Sequence, residues 1–229
     1  MFLDSFKTVF DIISSGNTEL WCIVWTSITV SFSATIIAAL IGITSGFFLA
    51  IHHFNYKQVV VTILNTLLSI PTVVVGLFLY GFLSRRGLFG NLGILYTNTA
   101  MIIGQTILIF PIVTTFVYSA VKAVDPKIAK TAKALGASVL QTAVVIAKEA
   151  RYGIALAVIA AFGRAISEVG VSMMLGGNIS GFTRNITTAI ALEHNKGNFA
   201  LALALGLILL IITFTINAVF RYMQGLNKP

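Results

Sequence analysis

Five apolar stretches, each long enough to cross a bilayer, constrain this chain more than any other feature. They run over Leu20–Ile51, Val59–Leu83, Thr99–Val121, Thr142–Leu175 and Phe199–Tyr222, and a hydrocarbon core takes about 20 helical residues to span. Hydrophobic residues make up 57% of the chain and charged residues 10%, against roughly 25% charged in an average soluble domain. No soluble core hides that much apolar surface, so lipid must be the solvent. In lipid the backbone bonds to itself, and long apolar runs do so as helices. The expected fold is all-α: a polytopic membrane protein with five transmembrane helices over 20–229, preceded by an extracytoplasmic segment, 1–19. The first and fourth stretches exceed the minimum and are expected to tilt or project beyond the bilayer.

Orientation follows from the Lys/Arg distribution. With the N-terminus outside, the inner segments hold Lys57, Lys122, Lys127, Lys130, Lys133, Lys148, Arg151, Arg221 and Lys228. The outer segments hold Lys7, Arg85, Arg86, Arg184 and Lys196. The imbalance favours N-terminus out and C-terminus cytoplasmic, and its weight sits in the loop 122–151. The net charge of +8 is then that of cytoplasmic loops beside anionic lipid. Basic runs interleaved with aromatics are missing, which argues against nucleic acid as a partner. Residues 2–15 put Phe2, Phe6, Val9, Phe10 and Ile13 on one face, the pattern of a helix lying in the membrane interface. With Asp4, Lys7 and Asp11 and no apolar run at the start, they do not read as a cleavable signal.

Small residues mark the packing. Gly42 and Gly46 form a GxxxG; Gly153, Ala157, Ala161 and Ala165 form a stripe that Ala202 and Gly206 extend. Such stripes let backbones approach closely, within one chain or across a dimer seam. Pro71 and Pro111 lie inside the second and third spans, where each removes a backbone donor and is expected to kink its helix.

The chemistry-bearing residues are few. His52, His53 and His194 have no metal-ligand spacing to a Cys or carboxylate, and the single Cys22 reads as a small hydrophobe. There is no GxxxxGK[ST], so a nucleotide, if one is used, is split on another polypeptide. Within the fourth span lies Gly163-Arg164-Ala165-Ile166-Ser167-Glu168-Val169-Gly170. Intramembrane charges are expensive and are functional candidates by default. Arg164 and Glu168, four apart, share a helical face and can neutralise each other. Two readings stand: an ion pair that fixes packing, or a charged element, with Ser167, lining an anion path or gate. On this spacing, neutralising either charge should harm transport more than exchanging the two. The loop 176–198 that follows is polar and Gly-rich, with a helix expected over Thr187–Glu193.

The basic stretch Ala129–Arg151 is amphipathic at helical spacing and interrupted by Gly136, well placed to dock on a soluble partner. Taken with GRAISEVG and GGN ahead of a last span, it resembles the membrane subunit of type I ABC importers, within the molybdate/sulfate/tungstate group. Its tungstate branch is the most similar. The likeness rests on Ala132–Ser138, Glu149–Gly153, Gly163–Gly170 and Thr187–Glu193. It departs from the general coupling motif in Lys130, where Glu is usual, and in Lys148-Glu149, where Leu-Pro is usual. The resemblance implies a MetI-like permease fold and a coupling helix at about 124–141. Its docking residues would be Lys130, Thr131, Ala132, Lys133, Ala134, Leu135, Gly136, Ala137 and Ser138. It further implies a homodimer in a prokaryotic cell membrane, cytoplasmic ATPase subunits that carry ATP and Mg, and an extracytoplasmic tungstate-binding protein. No cofactor is expected in this chain. Molybdate and sulfate permeases are the alternatives in the same class. A secondary transporter or channel would need internal repeats or broken helices, and an intramembrane enzyme a fuller polar set.

Overall fold

The computed structural model describes residues 18–225, so the interfacial helix expected over 2–15 lies outside the described residues, as does Lys228. Among the described residues the regular elements are all helical: α1 Thr18–Ile51, α2 Lys57–Leu67, α3 Thr72–Leu83, a 3-10 turn Gly90–Leu92, α4 Asn98–Lys122, α5 Pro126–Ala134, α6 Val139–Glu149, α7 Arg151–Ile166, α8 Gly170–Gly176, α9 Ile186–Asn195 and α10 Phe199–Gly225. Three of these, α1, α4 and α10, are long and apolar enough to cross a membrane by themselves. The pairs α2 with α3 and α7 with α8 qualify only together, bent by 99° and 58°.

Those bends correct two expectations. Pro71 does not merely kink the second span. Leu68–Ile70 form turns, and Pro71 stands in extended backbone (φ −60°, ψ 126°) as the N-cap of α3, a place where its missing N–H is harmless. Pro111, by contrast, sits inside the unbroken α4. The long fourth stretch is not a tilted rod but three helices, α6, α7 and α8, with ends at Ala150 and at Ser167–Val169.

The chain divides into two compact units. The described residues of the first are 18–34, 71–106 and 163–225. Its core joins Leu20, Ile23 and Val24 of α1 to Ile186 and Ala189 of α9 and Leu205 of α10. Elsewhere in it, α3 and α8 touch so closely that a Cβ on Gly76 would stand 3.1 Å from Met174 Cβ. A Cβ on Gly104 of α4 would come within 2.5 Å of Val171 and Leu175. The exposed Trp21 and Trp25 of α1 suit the interfacial level of a bilayer.

The second unit comprises 35–70 and 107–162. Here the GxxxG of α1 works as intramolecular packing: a Cβ on Gly42 would lie 2.8 Å from Val113 Cβ, and one on Gly46 2.5 Å from Thr114 O. Gly153 meets Ala120 in the same way, whereas a Cβ on Gly206 would meet open space. Lys57 donates to the carbonyls of Ala50 and His52 at 3.2 and 2.9 Å and so closes the C-terminal end of α1, as a cation there should. The α4–α5 connection leads to an exposed elbow, α5–α6.

Candidate functional site

The elbow contains every residue singled out for docking. Asp125 accepts from the Lys127 N–H at 2.8 Å and Pro126 opens α5, so the first turn is capped and preset. The helix closes in a Schellman arrangement. Ala137 N–H donates to Ala132 O and Gly136 N–H to Lys133 O, both at 3.0 Å. Gly136 has φ +83°, a conformation in which a Cβ crowds its own carbonyl. No neighbouring atom lies within 4 Å of a Cβ built there, so backbone conformation and not space demands glycine. Ser138 then starts α6 with a capping box: Ser138 Oγ accepts from Gln141 N–H at 3.2 Å and Gln141 Oε1 from Ser138 N–H at 2.7 Å. The coupling helix expected at about 124–141 is therefore two helices with a rigid corner.

The corner shows apolar side chains to solvent. Leu135, Val139 and Leu140 are 83%, 82% and 75% exposed. Lys130, Thr131, Lys133, Ala134, Gly136 and Ser138 are exposed as well, while Ala132 and Ala137 are half-buried. The corner thus pairs capped helices with a small exposed apolar patch. Behind the corner, His52, His53, Lys122, Asp125, Lys133 and Thr142 help to line a cleft of about 440 Å³. His52 stacks on Phe48, with ring centroids 4.0 Å apart.

The second candidate region lies where α7 breaks before α8. Arg164 Nη1 reaches Glu168 Oε2 at 2.6 Å, as the spacing predicted, but Glu168 lies beyond the end of α7 and not on a continuing helix. The pair is lopsided: the Arg164 side chain is 38% exposed and that of Glu168 only 2%. The other carboxylate oxygen, Oε1, accepts from Val171 N–H at 3.1 Å, holding the first turn of α8. Glu168 O accepts from the Thr187 hydroxyl at 2.7 Å. Thr187 sits on α9 beside its capping box, in which Asn185 Oδ1 accepts from Thr188 N–H and Thr188 Oγ1 from Asn185 N–H. Exchanging the two charges would put a donor-only guanidinium against the Val171 N–H. The exchange, expected to harm transport less than neutralising either charge, should therefore do no better. Ser167, exposed, donates to Gly163 O at 2.8 Å.

Sequence reasoning missed how the two breaks meet. A Cβ on Gly170, at the start of α8, would lie 2.8 Å from Thr72 Oγ1 and 3.1 Å from Val73 N at the start of α3. It also missed the contact made by Gln105, a buried amide of α4 whose Nε2 donates to Ser172 Oγ of α8 at 3.2 Å while its Oε1 has no partner. A lone amide in an apolar span is the only trace of that contact in the sequence. Among the described residues no group of three His, Cys, Asp or Glu could hold a metal.

Residues 38–228 match the family described as the binding-protein-dependent transport system inner membrane component. The chain belongs to this family. The permease is thus a multi-pass inner-membrane component of an ABC transporter, although its broken spans alone would also have suited a secondary transporter. It is 42% identical over 221 residues to the tungstate uptake system permease protein TupB of Peptoclostridium acidaminophilum, covering 96% of this chain and 97% of that one. To the protein of the same name from Campylobacter jejuni it is 43% identical, over 72% and 69% of the two chains. Its fold is that of a solved structure of the MetNI methionine ABC transporter in an inward-facing conformation, with a TM-score of 0.72 and 20% identity over 89% of this chain and 94% of that one.

Proposed function

We propose that this chain is the membrane-spanning permease of an ATP-driven importer that carries tungstate into the cytoplasm. The observation that carries the substrate is the 42% identity, spread over 96% of the chain, to a tungstate uptake permease. The active unit is a homodimer in a lipid bilayer. The corner Lys130–Ser138 seats in a cytoplasmic ATPase subunit, which holds the ATP and Mg, and an extracytoplasmic binding protein delivers the oxyanion. Support for the docking role comes from an elbow whose two helices are capped at the corner and whose leucines are bare. A rigid corner can transmit a displacement, and the junction at Glu168 supplies a second element with two ordered halves for it to bias. In this reading Arg164, Ser167 and Glu168 hold the geometry at a gate, and the exposed Arg164 edge and Ser167 hydroxyl are the groups that meet the path.

The test is accumulation of tungsten and of molybdenum in cells that lack their own uptake and express the chain with its neighbouring ATPase and binding protein. Tungsten should accumulate in preference to molybdenum and only with an active ATPase. Uptake that persists without the ATPase, or that ignores tungstate, would sink the proposal.

A further inference from the structure

The connection between α3 and α4 carries Arg85 and Arg86, and the whole sequence from Leu20 to Val124 contains no Asp or Glu. Among the described residues neither guanidinium has a hydrogen-bond or ion-pair partner, and both are exposed. The helix end beside them does not absorb their donors. Tyr80 O accepts from Ser84 N–H, Gly81 O from the Ser84 hydroxyl and Phe82 O from Phe89 N–H, at 2.8, 3.1 and 2.9 Å. The turn is built to hold that arrangement. A Cβ on Gly87 would be driven into the carbonyl oxygens of Gly81 and Phe82, and one on Gly90 into that of Ser84.

Across the same recess stands Tyr96. Its φ of +64° is unfavourable for a bulky residue, by about 1–3 kcal/mol. The strain is held by Tyr96 N–H donating to Leu175 O at 2.8 Å and by the ring lying where a Cβ on Gly177 would be, 2.7 Å from Tyr96 Cδ1. The result points the ring at Tyr80, with the two hydroxyls 3.5 Å apart. Two uncommitted guanidiniums, two phenols and Ser84 line a recess of about 590 Å³. The Ser84 and Tyr96 hydroxyl hydrogens are given to Gly81 O and to Tyr80, which leaves the planar guanidinium forks and the Tyr80 hydroxyl as donors, a set that suits a tetrahedral oxyanion. A strained residue held on such a recess is the kind of outlier that motivates a functional reading.

From this geometry we infer that the recess of Tyr80, Ser84, Arg85, Arg86 and Tyr96 is a binding site for a tetrahedral oxyanion on the permease itself. It is distinct from the Glu168 junction. For its place on the outer side of the membrane and for tungstate as the free anion, it rests on the importer reading. A lipid phosphate headgroup offers the same chemistry.

The experiment is equilibrium dialysis of the purified permease–ATPase complex, without binding protein, against sodium tungstate and separately against sodium sulfate. It is run in detergent, in zwitterionic nanodiscs and in nanodiscs containing phosphatidylglycerol. Saturable oxyanion binding is expected in detergent, weakened about tenfold in Arg85→Gln/Arg86→Gln by loss of the charge-assisted pairs. Arg85→Lys/Arg86→Lys should lose part of the affinity and Tyr96→Phe a smaller part, with the ATPase still co-purifying in each case. Binding that disappears only with phosphatidylglycerol would support the site and name the headgroup as its occupant. No saturable binding of either anion in detergent, or binding unchanged in both the Gln double variant and Tyr96→Phe, would overturn the inference. The two readings separate cleanly. Sulfate binding lost with the arginines, in a system that takes up no tungstate, would keep the site and reject the substrate, whereas normal tungstate uptake with no binding here would do the reverse.

Discussion

The elbow at Gly136 and the junction at Glu168 solve opposite problems. At the elbow nearly every hydrogen bond is local: Ala137 to Ala132, Gly136 to Lys133, and Ser138 with Gln141. The side chains are left uncommitted and exposed. At the junction the bonds join distant segments, Glu168 to Thr187, Gln105 to Ser172 and Ser27 to Ile186, and the carboxylate is almost fully buried. An exposed corner needs its turn held by its own backbone; a break in a buried helix needs its exposed N–H and C=O groups answered from elsewhere. The chain meets the first need with residues adjacent in sequence and the second with residues far apart.

Glu168→Ala strands Arg164 and uncaps Val171. It should lower stability by about 2 kcal/mol, less than the ~3–5 kcal/mol for breaking a fully buried pair because Arg164 keeps solvent contact, and should abolish most uptake. Thermal unfolding and tungsten accumulation are the readouts, and an unchanged melting curve would show that the junction is not held by its carboxylate. The Arg164→Glu/Glu168→Arg exchange should do no better than this single change.

Next, Gly136→Val forces a β-branched residue into the left-handed region at about 1–2 kcal/mol. ATPase co-purification should fall by about tenfold, the equivalent of 1.4 kcal/mol. Leu135→Glu separates surface from backbone. Stability should change by no more than about 0.5 kcal/mol, as for other exposed sites, while ATPase binding is lost. Retained binding would remove the corner from the interface. Ser138→Ala, which removes one side of the capping box, should destabilise by about 1 kcal/mol, visible in hydrogen exchange at the start of α6.

The smallest effect is acid dependence outside the spans. The Glu193 carboxyl is held below its ordinary value of 4.5, first by the hydrogen bond from Lys196 and then, against the opposing push of burial, by that from Asn198. A depressed carboxylate contributes stability that is fully present above the ordinary value and lost as pH falls through the lower folded one. Melting temperatures taken from pH 6 to pH 3 should therefore fall less steeply in Lys196→Gln than in the parent chain.

The elbow was legible in the sequence only as an amphipathic stretch interrupted at Gly136, because its signals are local, while its corner was read into a single helix at about 124–141. Asp125-Pro126, Gly136 and Ser138 with Gln141 three residues on are punctuation that works over one turn. The long spans α1, α4 and α10 were legible for the same reason, being runs of apolar residues. The breaks were harder. Pro71 announced a disturbance, but nothing near it in the sequence shows that the start of α8 lies against Thr72 and Val73, where Gly170 leaves room for the contact. The break at Ser167–Val169 contains no proline. Arg164 and Glu168 were found as charges, yet the helix end between them shows in no propensity, because the groups that answer it, Thr187 and the Val171 N–H, are brought there by tertiary packing. The recess at Arg85 and Arg86 was seen only as positive charge in an outer loop, since the left-handed Tyr96 facing it has no signature in sequence.

Position 136 has one further consequence, which concerns handedness. Its backbone is the mirror image of an ordinary helical residue and the space around its α-carbon is empty. An L-alanine there is disfavoured by chirality alone, so the D-enantiomer should be welcome. A corner peptide spanning 125–150 and carrying D-alanine at 136 would lose glycine's disorder in the unfolded state while keeping the turn. The elbow is in this sense a left-handed slot in a right-handed protein, and a stereochemical probe can address it where side-chain size cannot.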